Sequence, residues 1–229
     1  MNLIKVIAFD ADDTLWENET FFRKSENEFC DLLKEYISGE ELIKKLLKVE
    51  YKNLTSYGYG IKGFMLSMIE TAIDVSKGKV SNEIIQSIME IGNKMLLNSV
   101  EILEGVDSVL ENLHPKYKLV ILTKGDLLDQ ERKLNKSNLQ KYFHHVEIVS
   151  EKKETDYQRI LNNLEIEAHE FLMVGNSLKS DIIPVLNVGG HAFHIPFHTT
   201  WELEIVDEEI SHPKFKELKT ISEVLNHVL

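Results

Sequence analysis

Three aspartates fall within four positions, Asp10, Asp12 and Asp13, directly behind the apolar run Leu3 to Phe9 and ahead of Thr14. Carboxylates this dense repel one another, and in a crevice that cost grows as water is withdrawn. They therefore call for a cation, and a set of hard oxygen donors favours Mg²⁺ over softer metals. The plain alternative is an acidic turn that ends a strand and does nothing more.

Other polar groups follow other apolar runs. Lys118 to Leu122 leads into Thr123-Lys124-Gly125, which offers a hydroxyl and free backbone N–H groups. Val146 to Val149 leads into Ser150-Glu151-Lys152-Lys153, which brings amines. Phe171 to Val174 leads into Gly175-Asn176-Ser177-Leu178-Lys179-Ser180-Asp181, with two more oxygen ligands ahead of a helix. Singly, each reads as a turn, a solvated lysine pair or a helix start. Together they place an acid pair, a hydroxyl, an amine and a further acid at successive strand ends. In open parallel sheets, ligands bind outside the carboxyl ends of strands.

The elements needed to hold those groups are legible. The runs named above, with Ala192 to Ile195 as a weaker fifth, are continuously apolar, as strands buried on both faces must be. From Lys118 onward they alternate with amphipathic stretches, the pattern of βαβ units. Val106, Val109, Leu110 and Leu113 repeat at helical spacing, and His114-Pro115 closes that helix. Thr155 with Gln158 reads as a capping box for the helix carrying Ile160, Leu161 and Leu164. From about Asn18 to Ser99 only helical periodicities occur. Phe21, Phe22, Phe29, Leu32, Leu33 and Tyr36 make one stripe; Leu42, Ile43, Leu46 and Leu47 another. Phe64, Met65, Met68, Ile69 and Ala72 make a third, and Ile84, Ile85, Ile88, Met89, Met95 and Leu96 a fourth. Gly39 and Gly78 fit helix ends and Ser81 an N-cap. These stripes are packing surfaces, and a helical module interrupts an α/β core straight after its first strand.

With these motifs in place, the sequence resembles the haloacid dehalogenase superfamily, in the phosphatase branch that carries a helical cap after the first strand (C1 type). Asp10-Ala11-Asp12-Asp13-Thr14 matches its DxDxT signature, Thr123 its second motif, Lys152 its third, and Gly175 to Asp181 its fourth. The resemblance implies that Asp10 attacks phosphorus to form an aspartyl-phosphate. It implies that Asp12 protonates the leaving group, then activates water, and lends its backbone carbonyl to the metal. Thr123 and Lys152 would hold the phosphoryl oxygens, and Asp181 and Asn176 would complete an Mg²⁺ site with Asp10 and Asp12. Asn176 stands where the family usually has aspartate, which removes a formal charge from that site. Lys153 is a second amine beside Lys152; the position two residues after Ser150 selects Lys152.

The implied roles make physical sense. A carboxylate repels a phosphate dianion, so attack by Asp10 needs Mg²⁺ and Lys152 to offset the field. Phosphoryl transfer asks mainly for alignment and charge stabilisation. Asp12 must be protonated when the ester oxygen departs, and crowding by Asp10 is expected to raise its pKa. The acid at Asp12 also favours phosphoester chemistry over carbon–halogen cleavage, since a departing halide needs no proton.

The bulk composition narrows the partners. The chain has 229 residues, is 43% hydrophobic and carries a formal net charge of -12, a surface that repels nucleic acid and anionic membrane at long range, so neither is expected as a general partner. No apolar run approaches the roughly 20 residues that span a bilayer. The single Cys30 rules out an internal disulfide and fits a reducing, cytoplasmic location. His191, His194 and His198 invite a zinc reading, but on a strand His191 and His194 face opposite sides, and a structural or surface role is expected. Trp16 lines an entrance or anchors a linker; Trp201 and the acidic stretch after it read as surface.

The sequence thus predicts an α/β fold: a Rossmann-like parallel-sheet core of residues 1–16 and 100–229, with a mainly α-helical cap of 17–99. The expected function is Mg²⁺-dependent hydrolysis of a small phosphorylated metabolite. The rivals are phosphotransfer to another hydroxyl, as in a phosphomutase, and a phosphate-binding module without turnover.

Overall fold

The computed structural model describes residues 4–207 and 209–229. Its sheet is built from β1 (Val6–Phe9), β2 (Lys118–Lys124), β3 (His145–Val149), β4 (Phe171–Gly175), β5 (His191–His194) and β6 (Phe215–Glu217). The order is β3-β2-β1-β4-β5-β6 and every pairing is parallel, so the α/β, Rossmann-like expectation holds. Leu3, read from sequence as the start of the first strand, lies outside the described residues.

The strands are continuously apolar because both faces are covered. Ile7 and Phe9 pack on one side with Val106, Val109, Leu110 and Leu113 of helix α5 (Val106–Leu113). Val6 and Ala8 pack on the other with Tyr157, Ile160 and Leu161 of α7 (Glu154–Leu164). β6 escapes sequence reading because it is three residues long and sits at an edge, where little apolar pattern is required. The helix α7 starts earlier than its Thr155 capping signal suggests. Asp156 accepts a hydrogen bond from the Lys153 N–H at 3.2 Å, so the cap lies two residues upstream.

Between β1 and α5 the chain forms four helices: α1 (Glu19–Leu33), α2 (Gly39–Tyr57), α3 (Ile61–Val75) and α4 (Asn82–Leu97). Ser81 accepts from the Ile84 N–H at 3.4 Å, as an N-cap does. Gly39 opens α2 rather than closing α1, because Ser38 is the cap there. The stripes meet in one core of Phe29, Leu33, Leu42, Leu46, Phe64, Met68 and Ile88 with their neighbours. Met89 and Tyr36, counted among the stripes, are exposed instead.

The chain divides into two compact units. One comprises Met1–Glu19, Val100–Lys124 and Arg132–Leu229; the other comprises Thr20–Ser99 and Gly125–Glu131. The second unit therefore takes in the start of α6 (Leu127–Ser137), a stretch of chain that hydrophobic periodicity alone assigns to the sheet-bearing core. The remaining helices, α8 (Ile183–Asn187) and α9 (Leu225–Val228), are short. No helix among the described residues is long and apolar enough to cross a membrane.

Candidate active site

Parallel pairing brings the strand tips into line. Phe9 is in register with Val174 and with Ile121, and the Asp10 N–H donates to the Val174 carbonyl at 2.9 Å. Asp10 therefore stands beside Gly175, at the carboxyl end of the sheet. Lys152 reaches the same point from beyond β3. Its Nζ donates to Asp10 Oδ1 at 2.5 Å and to Asp181 Oδ1 at 2.7 Å, and all three side chains are buried. Lys153, by contrast, is exposed.

Asp181 arrives on a single wide helical turn, Leu178–Ile182, that leads into α8. Its other oxygen, Oδ2, accepts from the Ser177 N–H at 3.0 Å. A Cβ on Gly175 would lie 2.3 Å from that oxygen, so only glycine lets the carboxylate rest on the strand tip. Thr14 Oγ1 lies 3.2 Å from both Asp10 Oδ2 and Asn176 Oδ1, and so bridges the first and fourth motifs with one hydroxyl. Thr123 ends buried near the tip of β2, the strand beside β1, where its hydroxyl donates to the Lys124 carbonyl at 3.3 Å.

Burial raises the Asp10 carboxyl well above its ordinary range, with Lys152 opposing this and Asp181 adding to it. Burial also works against the charge on Lys152, but the two carboxylates overcome it and hold the ammonium firmly protonated. One ammonium cannot neutralise two buried carboxylates. The residual negative charge, with the Asn176 amide oxygen nearby, is a donor set of hard oxygens that a small divalent cation would complete. Among the described residues, no three His, Cys, Asp or Glu side chains converge as a metal cage.

The three carboxylates of the first turn have different hydrogen-bond partners. The Asp13 carboxylate turns away to the chain ahead of α1, accepting from the Asn18 N–H at 2.8 Å and the Glu19 N–H at 3.0 Å. It caps that start from the left-handed region, at φ 60°, which aspartate tolerates. Burial pushes its carboxyl up to about 7, against the pull of those N–H groups. Asp12 has partners that the sequence does not suggest. Its Oδ1 accepts from Trp16 Nε1 at 2.7 Å and from Lys133 Nζ at 2.6 Å. Trp16 is thus neither an entrance residue nor a bare anchor: it is buried and holds Asp12.

Several neighbours of the site escape sequence reading. Lys124 Nζ donates to Glu204 Oε1 at 2.5 Å, and Ser177 and Ser180 donate to Glu204 Oε2 at 2.5 and 2.6 Å. Burial alone would raise the Glu204 carboxyl; Lys124 and the serines reverse this and hold it below the usual range. The acidic stretch after Trp201 is therefore not wholly a solvated face. His194 Nε2 lies 3.0 Å from the Asn176 carbonyl, which makes it a structural support of the loop. Tyr157 donates to the Ser180 carbonyl at 2.9 Å. Glu204, His194 and Tyr157 carry no local motif, and each is brought in from a distant part of the chain.

Comparison with known proteins shows the family. The family model of haloacid dehalogenase-like hydrolases matches residues 4–189. The crystal structure of a haloacid dehalogenase-like family hydrolase from Xanthomonas campestris is 38% identical with a TM-score of 0.89, covering 99% of this chain and 91% of that one. The human N-acylneuraminate-9-phosphatase is 26% identical over 200 residues, which is 82% of this chain and 81% of the human protein. The magnesium-bound hydrolase YfnB of Bacillus subtilis shares the fold, at 15% identity and a TM-score of 0.65 over 98% of each chain.

Proposed function

The chain belongs to the haloacid dehalogenase-like hydrolases, and on that premise we propose that it is a Mg²⁺-dependent phosphatase whose nucleophile is Asp10. The observation that carries this reading is the buried contact of Lys152 with both Asp10 and Asp181 at the carboxyl end of the sheet. An acid in this position, with a fixed ammonium beside it, is organised to attack an anion that would otherwise repel it.

In this reading Asp10 Oδ2 attacks phosphorus, the ester oxygen leaves, and an aspartyl-phosphate forms on Asp10. Lys152 and the Thr123 hydroxyl hold the phosphoryl oxygens in line. Asp12 gives the departing oxygen its proton and later takes one from the attacking water, which releases phosphate and restores Asp10. Asp10, Asp181, Asn176 and the Asp12 carbonyl would hold Mg²⁺, which supplies charge neutralisation at the phosphoryl group. For Asp12 to serve as acid, its oxygen must exchange the Lys133 ammonium for the substrate oxygen. Trp16 and Lys133 contact Asp12 at its Oδ1, and the Asp12 charge also acts on the Asp10 carboxyl.

The helical unit is proposed as the cap, taken as residues 17–99 against a core of 1–16 and 100–229. It would read the part of the substrate beyond the phosphate. The small phosphorylated metabolite remains the substrate class, and the relatives named N-acylneuraminate-9-phosphatase support a phosphate monoester. The test is a panel of phosphorylated metabolites, phosphosugars first, with Mg²⁺ present and released phosphate measured. Steady release that vanishes in chelator and in Asp10→Asn is expected. Isomeric sugar phosphate formed without net phosphate release would overturn hydrolysis in favour of phosphotransfer.

A further inference from the structure

We propose that Glu204 is a positioning residue of the active site, clamping the loop after β4 to the tip of β2. The proposal rests on the reading of Asp181 and Asn176 as cation donors. It is carried by a closed set of hydrogen bonds on elements far apart in sequence. Glu204 ends a short turn, Glu202–Glu204, beyond β5. One of its oxygens takes the Lys124 ammonium at 2.5 Å, next in sequence to Thr123. The other takes the hydroxyls of Ser177 and Ser180 at 2.5 and 2.6 Å.

Each proton in this set has one destination. Ser177 Oγ donates to Glu204 and accepts from the Ser180 N–H at 3.0 Å. Ser180 Oγ donates to Glu204 and accepts from Lys124 at 2.8 Å. The Ser177 N–H is thereby aimed at Asp181 Oδ2, the oxygen opposite the one that touches Lys152. Lys179 adds a bond from its Nζ to the Leu203 carbonyl at 2.7 Å. The Lys124 and Glu204 side chains are only 14% and 15% exposed, so water competes weakly for these bonds. A carboxylate spent on solubility would not be so enclosed. Supports of this kind orient metal-binding side chains, and their loss typically costs roughly 10–100-fold in metal affinity or activity.

The experiment uses the full chain and Glu204→Gln, which keeps the reach and removes the charge. Lys179 is exposed on the clamped turn, so tryptic cleavage after it reports release of the loop without reference to catalysis. Cleavage is expected to quicken several-fold, with far-ultraviolet circular dichroism unchanged. Mg²⁺ affinity, measured by calorimetry without substrate, is expected to fall about tenfold. Glu204→Asp should recover part of both, and the exposed neighbour variant Glu202→Gln neither. If Glu204→Gln does not fold, Ser180→Ala removes the two bonds made by the Ser180 hydroxyl, leaves those of Glu204 with Lys124 and Ser177, and should move both readouts less, in the same direction. Wild-type cleavage and wild-type Mg²⁺ affinity in Glu204→Gln, or in Ser180→Ala where that variant stands in, would overturn the clamp. A wild-type protein that binds no Mg²⁺ would instead overturn the functional reading, and the cleavage rates would still decide the clamp.

Discussion

In the turn after β1, three neighbouring aspartates separate to three sets of partners: Asp10 to Lys152, Asp12 to Trp16 and Lys133, Asp13 to the N–H groups of Asn18 and Glu19. In the loop after β4 the reverse occurs. Ser177, Ser180 and Asp181 are tied to one another, and through them to Lys152 and Glu204. The first region distributes identical side chains over different tasks, and the second gathers different side chains into one. Charge explains the contrast. Adjacent carboxylates lower their energy by parting, while hydroxyls, amides and a lone carboxylate lower theirs by pairing.

The contrast can be broken by making one substitution at two positions of the same turn. Asp10→Asn should reduce turnover on the order of 10⁴-fold, as removal of a nucleophile does, with little change in melting temperature. Asp13→Asn keeps an acceptor for the Asn18 and Glu19 N–H groups and should leave turnover near wild type; Asp13→Ala should cost about 1 kcal/mol of stability in urea titration. Equal loss of activity in both asparagine variants would show that the turn does act as a single acidic cluster.

Next in size is Gly175→Ala. The added carbon would meet Asp181 Oδ2 at 2.3 Å, so the loop must lift off the strand tip. A fall of roughly 10–100-fold in Mg²⁺ affinity is expected, read by calorimetry. Unchanged affinity would mean that Asp181 does not hold the ion. The smallest effect belongs to Trp16→Phe, which keeps a ring in the core but removes the donor to Asp12. A loss of about 1 kcal/mol, or several-fold in kcat, is expected. It should be larger for an alkyl phosphate than for p-nitrophenyl phosphate, whose leaving group needs no proton. An equal loss on both substrates would remove Trp16 from any link to proton transfer.

How far the sequence reached can be read from particular residues. Position alone selects Lys152 over Lys153, and the structure buries the first while leaving the second exposed. Strands β1 to β5 were visible because burial on both faces demands unbroken apolar runs, whereas β6, short and at an edge, made no such demand. Gly175 belongs to a motif legible in sequence, but the reason for glycine there is the approach of Asp181 Oδ2, which only the fold brings about.

By itself, the order of residues determined the parallel sheet, the helical insertion after its first strand and the polar groups at the strand tips. Those are consequences of local periodicity and of what must follow a buried strand. Only the tertiary structure decided the remote partners: that Lys133 reaches Asp12 across 121 positions of sequence, and that Glu204 meets Lys124 across 80. A hydrogen bond requires its two atoms within about 3 Å, and nothing in a one-dimensional pattern encodes that distance between remote segments.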